Sequence, residues 1–423
     1  MGEPGTFTTR QRAPVDDLDI EVRGVGRLRL PLTAAQAKEL RMIARPARYG
    51  RGEDTLLDRR VRDTWEIPRS RVRIDKRRWN ATLLPMVESL GRDLGLPAGR
   101  RLTAELHSVL LYERGQFFAP HKDSEKADGM VASLVVVLPS NASGGELVVE
   151  HRGQRVAHRS SRTSLTFIAF YSDVVHELLP VESGWRMALT YNLFLGPDRR
   201  AAAAPDDPGR RVDEPRVAEV ASLLDRHFAE PADVPSWRRP PVDAGPPDRL
   251  VYLLDHEYTE RGLGWSWLKG DDEPRAATLR AAAERSGCET ALVLADVHET
   301  WDCMEDHWGD RTRRWERGRP MEPPADDRPS DLDGFELGDL IDSEVSLFAP
   351  NDSNGRRELA AEDHELCATT PSVELPAYES EYEGYMGTYG TTMDRWYRRR
   401  AVVVWPRRRT VVVAARPDPV AAL

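Results

Sequence analysis

The tripeptide His121-Lys122-Asp123, in the stretch FFAPHKDSEK, places an imidazole and a carboxylate two residues apart. In an extended segment successive side chains alternate, so His121 and Asp123 share one face and Lys122 points the other way. A second imidazole, His176, stands far downstream in FYSDVVHELLP, and Arg186 follows it in GWRMALTYNL. Two imidazoles and one carboxylate suit non-haem Fe(II) and leave coordination positions open for other molecules. Arg186 suits a carboxylate, which a guanidinium can hold through two parallel N–H donors.

These residues need a rigid frame. From His107 onward short β-branched runs follow one another: HSVLLYE, FFAPH, MVASLVVVLP, GELVVEHR, SLTFIAFY, VVHELLP and RMALTYNLFL. Gly, Pro, Asn and Ser turns separate them. This pattern predicts an antiparallel double-sheet jelly roll with the candidate ligands pointing inward at one mouth. One of Phe117 and Phe118 must face inward with the metal pair. His176 and Leu178 share a face, and Pro180 and Gly184 bound the turn that returns Arg186 to the same cavity. The polar segment Ser124 to Met130 is expected at the mouth, placed to gate a substrate.

The order YERGQFFAPHKD, SLVVVLPSNASGGELVVEHRG, FIAFYSDVVHELLPVESGWR, with its glycine turn Gly144-Gly145-Glu146, resembles the 2-oxoglutarate/Fe(II)-dependent dioxygenases of the prolyl-4-hydroxylase-like superfamily. The resemblance covers the stretch from about residue 100 to 195. It implies iron on His121, Asp123 and His176, and the distal carboxylate of 2-oxoglutarate on Arg186. It also implies a tyrosine on the strand before the HxD pair that hydrogen-bonds the cosubstrate. Tyr112 sits there, with Tyr171 and Tyr191 as nearby alternatives. The implied cofactors are Fe(II) and 2-oxoglutarate, with ascorbate as an admissible accessory reductant, and the partners are O2 and an unidentified substrate. The implied activity is hydroxylation of a protein or small molecule with release of succinate and CO2.

Two other functions are compatible with the same residues. A nucleic-acid demethylase of related fold would carry a second arginine soon after Arg186, and MALTYNLFL has none. A non-catalytic jelly-roll sensor of metal or 2-oxoglutarate would keep the ligands without turnover. The enzyme reading leads because ligands and clamp are both present.

Across the whole chain of 423 residues the formal net charge is −10, which disfavours nucleic acid as a partner. Residues 1–80 are richer in arginine than the rest, but acids interleave with these arginines and no aromatic platform accompanies them. No apolar run is long enough to span a bilayer and no signal-peptide core follows Met1, so a cytoplasmic protein without a membrane partner is expected. Cys288, Cys303 and Cys367 form no close pair, so neither a disulfide framework nor a CxxC zinc site is expected. Oligomeric state is not legible.

The fold class expected is α+β: a double-stranded β-helix (jelly-roll, cupin-like) core with flanking helices and a C-terminal α/β extension. Its divisions are a βα cover at 1–100, the core at 101–196, a Pro-rich linker with a helix at 197–248, and an α/β region without assigned role at 249–423. In the cover, 1–18 reads as disordered and Ile20 to Leu30 as a strand or hairpin. A helix capped by Thr33 runs to Ala44, VRDTWEIPRSRVRI reads as a strand, and a second helix spans Trp79 to Leu94. Trp65 reads as a core aromatic.

Beyond the core, helices are expected at 217–228, 249–262 and 276–286, and strands at 290–297, 336–348 and 400–405. The aromatic, glycine-rich run from Glu381 to Trp396 reads as a loop. In it and just beyond, Tyr382, Tyr385, Tyr389, Trp396 and Tyr397 are candidate substrate contacts. His256, His298, His307 and His364 read as surface or helix-end residues. The set His298, Asp302, Cys303, His307 lacks the spacing of a metal site.

Overall fold

The computed structural model describes residues 6–51, 54–96, 101–123, 129–196, 213–229, 247–258, 264–305, 315–316, 319–320, 335–348, 358–383 and 391–408. The chain forms two compact units, Met1–Val212 with Arg261–Ala277, and Asp213–Glu260 with Thr278–Leu423.

In the first unit the elements that carry the architecture begin with β1 (Thr8–Ala13), α1 (Ala34–Ile43), β2 (Arg45–Pro46), β3 (Arg62–Asp63), β4 (Trp65–Glu66) and α2 (Lys76–Asp93). They continue with β5 (Leu102–Tyr112), β6 (Phe117–His121), β7 (Met130–Val137) and β8 (Leu147–His151). The last four are β9 (Gln154–His158), β10 (Leu165–Tyr171), β11 (Val175–Leu178) and β12 (Arg186–Leu195). A seven-stranded sheet in the order β1-β10-β7-β12-β5-β4-β2 faces a five-stranded sheet in the order β9-β8-β11-β6-β3. Every pairing in both is antiparallel. This is the double-stranded β-helix expected from the sequence.

One apolar core joins the two sheets, with Val109, Leu111, Leu134, Val136 and Phe167 from the larger and Leu147, Val149 and Leu178 from the smaller. β7 and β10 are buried on both faces because helices cover the larger sheet. On α2, Trp79, Leu83, Val87 and Leu90 recur at helical spacing and form the buried stripe. Asp75 caps it by accepting from the Arg77 and Arg78 amides, and Thr33 caps α1 by accepting from Gln36.

Two expectations for the N-terminal region are corrected. The run 1–18 was expected to lack order, but Thr8 to Ala13 is a full strand, in register from Thr8 opposite Phe170 to Ala13 opposite Leu165. Edge pairing is made by backbone groups and needs few apolar anchors, so composition did not reveal it. The run VRDTWEIPRSRVRI is not one strand. β3 pairs with β6 in the smaller sheet, whereas β4 pairs with β5 in the larger, so the chain changes sheets at Thr64. Trp65 is buried as expected, donating to Glu113 at 2.7 Å with the Arg41 guanidinium over its ring.

β1 is also tied by Thr8 Oγ1 to His158 Nε2 at 2.8 Å. Burial, aided by the charge of Arg10, pulls the His158 pKa from 6.5 to about 4. Above pH 6.5 the ring is neutral whether the chain is folded or not. As the pH falls from 6.5 to about 4 the unfolded chain takes up a proton that the folded one refuses, so stability is lost over that window. Urea unfolding across this range is expected to show that loss, and His158→Gln is expected to flatten it.

The Ser143–Gly144 strand meets Val181–Ser183, closing the end of the barrel beside Arg186. Gly144 has φ +70°, and a Cβ there would lie 2.6 Å from the Pro180 carbonyl oxygen and 2.7 Å from the Glu182 nitrogen. Backbone cannot yield as a side chain can. Gly144→Ala is expected to cost more than about 1 kcal/mol in chemical denaturation.

The second unit contains α3 (Glu214–Ala229) and a sheet of β13 (Leu250–Leu253), β14 (Cys288–Glu305), β15 (Phe335–Phe348), β16 (Glu358–Ala361), β17 (Leu366–Ala368), β18 (Glu379–Glu383) and β19 (Thr392–Pro406). The order is β16-β15-β14-β19-β13-β17, with β18 also on β19. The helix expected at 276–286 is α4 (Asp272–Arg285), but over 249–258, the described part of the helix expected at 249–262, there is no helix and β13 stands in its place. Val251 and Leu253 are the buried pair there, so the governing period was two, which a short apolar run cannot distinguish from helical spacing. The run from Glu381 to Trp396 is not simply a loop, since β18 and β19 occupy its two ends.

Candidate active site

His121 is the last residue of β6 and lies opposite His176 of β11 in the sheet register. Asp123 lies just past the strand, held by its backbone N–H to the Ser172 carbonyl at 3.0 Å. The metal-binding atoms of His121, Asp123 and His176 all fall within 4.8 Å of one another, the only such His, Cys, Asp and Glu group among the described residues. Asp123 Oδ2 lies 3.7 Å from His176 Nε2.

Both imidazoles are presented the same way round. His121 Nδ1 meets the Ala119 carbonyl at 2.8 Å and His176 Nδ1 meets the Val174 carbonyl at 3.1 Å. A carbonyl only accepts, so each Nδ1 carries a proton and Nε2 is the ring atom left to meet a metal. Burial, reinforced by the charge of His176, holds the His121 pKa well below 6.5, which keeps the ring in the neutral form that binds metal. Burial alone would raise the Asp123 pKa, but His176, His121 and a hydrogen bond from Ser133 outweigh it and keep the carboxylate ionised. This donor set fits Fe(II): two imidazoles, one carboxylate and outer hydrogen bonds to each.

Aromatic packing fixes the rings. Phe118 stacks on His121 with centroids 3.5 Å apart, and Phe170 lies 4.4 Å from His176. Strict alternation along β6 would have turned Phe117 inward with His121. A register irregularity between Phe118 and His121 turns Phe118 inward instead.

The same cavity holds Arg186 and Tyr112, which lie opposite each other on β12 and β5, with the guanidinium 5.6 Å from the tyrosine ring centre. Arg186 is 2 % exposed and its Nε has no hydrogen-bond partner. Burial pulls its pKa down to about 10, with Tyr112 and Glu146 opposing, so it remains cationic at neutral pH. A buried cation with an unused donor beside a metal-binding group fits an anionic ligand. The alternatives to Tyr112 are otherwise engaged. The Tyr171 hydroxyl donates to the Leu94 carbonyl and accepts from the Gly270 amide, while the Tyr191 hydroxyl accepts from Trp79.

Sequence reading missed Ser133, Phe170 and Arg62 in this cavity. Ser133 had a usable signal, because it is the polar residue in the otherwise apolar run MVASLVVV. Arg62 had none, since its strand has two residues.

Residues 107–194 match the 2OG-Fe(II) oxygenase superfamily. The resemblance drawn from the HxD…H…R order is thereby borne out for the segment that carries the ligands, and the cofactors that this superfamily implies are Fe(II) and 2-oxoglutarate. Comparison with proteins of curated function finds no match. Among solved structures, a 2OG-Fe(II) oxygenase family oxidoreductase from Burkholderia pseudomallei is 18% identical, covering 46% of this chain and 89% of its own, with a TM-score of 0.27. A prolyl-4-hydroxylase from Pseudomonas putida is 20% identical over 45% of this chain and 94% of its own, with a TM-score of 0.28. A Trichoplax adhaerens prolyl hydroxylase, solved with a hypoxia inducible factor peptide fragment, is 18% identical over 45% and 88%, with a TM-score of 0.27.

The remaining candidates lie apart from the oxygenase segment in sequence. His298 Nε2 meets Asp394 at 2.9 Å and its ring stacks on Trp396 at 4.7 Å, while Tyr397 is buried. His256 is 3 % exposed, which corrects its reading as a surface residue. His307, Tyr385, Tyr389 and most of the segment Ser124 to Met130 lie outside the described residues. Among the described residues no helix is long and apolar enough to cross a membrane.

Proposed function

We propose that this protein is an Fe(II)- and 2-oxoglutarate-dependent oxygenase that hydroxylates a substrate and releases succinate and CO2. The observation that carries the reading is the convergence of His121, Asp123 and His176 in a cavity that also contains a buried, incompletely partnered arginine. The two Nε2 atoms and the Asp123 carboxylate hold the metal. Arg186 takes the distal carboxylate of 2-oxoglutarate, and its burial strengthens that contact by excluding competing water. The Tyr112 hydroxyl donates a further hydrogen bond to the cosubstrate. Iron with 2-oxoglutarate and O2 supplies the oxidising chemistry; the protein supplies binding and orientation. Phe118, Phe170, Leu147 and Leu178 form apolar walls that keep the reacting centre dry.

The test is an anaerobic titration of apoprotein with Fe(II) and 2-oxoglutarate. The expected result is the visible charge-transfer band of chelated cosubstrate, lost in His121→Ala. Failure of the band to form with the unaltered chain would overturn the reading. A band that forms with no succinate release under air, with or without added substrates, would favour a sensor over an enzyme.

A further inference from the structure

Arg62 occupies the other side of the same cavity from the smaller sheet, on β3, at the edge next to β6. It lies opposite Phe118 in the register, and its guanidinium covers the Phe118 ring at 4.5 Å, the ring that in turn stacks on His121. One terminal nitrogen donates to the Arg48 carbonyl at 2.8 Å, which fixes the plane of the group. Its Nε is buried and has no hydrogen-bond partner. Among the described residues no carboxylate pairs with it: the adjacent Asp63 is engaged by Arg59 and Gln116. A cation whose face is occupied by an aromatic ring keeps its donors in the plane, along its edge.

The charges in the cavity lead to a substrate class. The positive charge of Fe(II) and Arg186 is matched by Asp123 and the two carboxylates of 2-oxoglutarate. Of the two arginines among the described residues that line the cavity, Arg62 is then the one left unmatched. A partly desolvated, unmatched guanidinium is costly in the free protein and becomes favourable when an anion binds.

We propose that Arg62 is a specificity-determining residue that binds a carboxylate of the substrate, so that the substrate carries a free carboxylic acid, as amino acids do. This rests on the oxygenase reading above and narrows it. A prolyl residue within a peptide chain has no such group to offer; in a peptide only an aspartyl or glutamyl side chain or the C-terminus carries one. The Phe118 ring, stacked on His121 and covered by the Arg62 guanidinium, links the arginine to the triad. The substrate carboxylate would thus be held by Arg62, while Arg186 keeps the cosubstrate.

The experiment uses the full chain loaded anaerobically with Fe(II) and 2-oxoglutarate, and follows the charge-transfer band while probes are added. The probes are the free L-amino acids and short aliphatic monocarboxylic acids, each beside its carboxamide. The expected result is that at least one acid shifts the band and its amide does not. Arg62→Gln is expected to weaken that acid about tenfold or more, with Arg62→Lys recovering part of the loss. Circular dichroism of both variants, matching the unaltered chain, excludes misfolding as the cause. The proposal is overturned if no acid shifts the band, if acids and amides act alike, or if Arg62→Gln leaves the acid's affinity unchanged. Bleaching of the band by an acid, which marks displacement of 2-oxoglutarate, also counts against it. A band that never forms overturns the oxygenase reading itself and is thereby told apart from a failure of the Arg62 proposal.

Discussion

His176→Ala is expected to reduce 2-oxoglutarate turnover to the buffer background and to remove the charge-transfer band, with the chain still folded. His176 is 6 % exposed, it faces His121 across β6 and β11, and its Nδ1 is committed to the Val174 carbonyl. Its Nε2 therefore has one direction in which to act, toward Asp123 and His121. Losing it leaves two donors of the three, and no other His, Cys, Asp or Glu among the described residues lies close enough to complete the set. The side chain is replaced by a smaller one in a packed wall, so a fall in melting temperature is expected too. A folded variant that kept both band and turnover would remove His176 from the metal site. Succinate release under air and the anaerobic spectrum are read on the same sample, beside circular dichroism.

Arg186→Ala is expected to raise the 2-oxoglutarate concentration needed for half-maximal band intensity by about 30-fold or more. Truncating one partner of a buried, hydrogen-bonded charge pair costs about 2–5 kcal/mol, and the lower bound corresponds to that factor. The guanidinium is buried and its pKa is pulled down to about 10, so at neutral pH it carries a desolvated charge whether or not the cosubstrate is bound. The sign follows. Burial that lowers the folded pKa of a base opposes folding at every pH below that value, so without a ligand Arg186 destabilises the chain. Arg186→Met, which keeps most of the volume, is therefore expected to melt no lower than the unaltered apoprotein. The rise in melting temperature that 2-oxoglutarate produces with Fe(II) present should vanish in the same variant. Unchanged cosubstrate affinity in Arg186→Ala would take the clamp assignment away.

The legible parts of this protein were those set by local pattern. Thr33 and Asp75 are side-chain acceptors at helix starts, and they cap α1 and α2. The β-branched runs after His107 all became strands, because alternation and turn residues act over a few positions. His121, Asp123, His176 and Arg186 were legible because their types and spacing specify chemistry before any fold is known. What failed was decided elsewhere in the chain. β1 depends on pairing with β10, and no property of TTRQRA announces that. β13 became a strand because neighbours on both sides were available to pair with Leu250 to Leu253.

By itself, then, the amino-acid order pointed to the candidate ligand set, the candidate clamp and the alternating strands, all of which rest on residue type and near-neighbour spacing. Only the tertiary structure decided that Phe118 rather than Phe117 lines the cavity with the candidate ligands, because that turned on a register irregularity between β6 and β11. It also decided that Tyr112 faces Arg186 while Tyr171 and Tyr191 are held by other partners. Arg62 enters the cavity for the same reason: a two-residue strand has no period to read, and its direction is set by the sheet edge it joins.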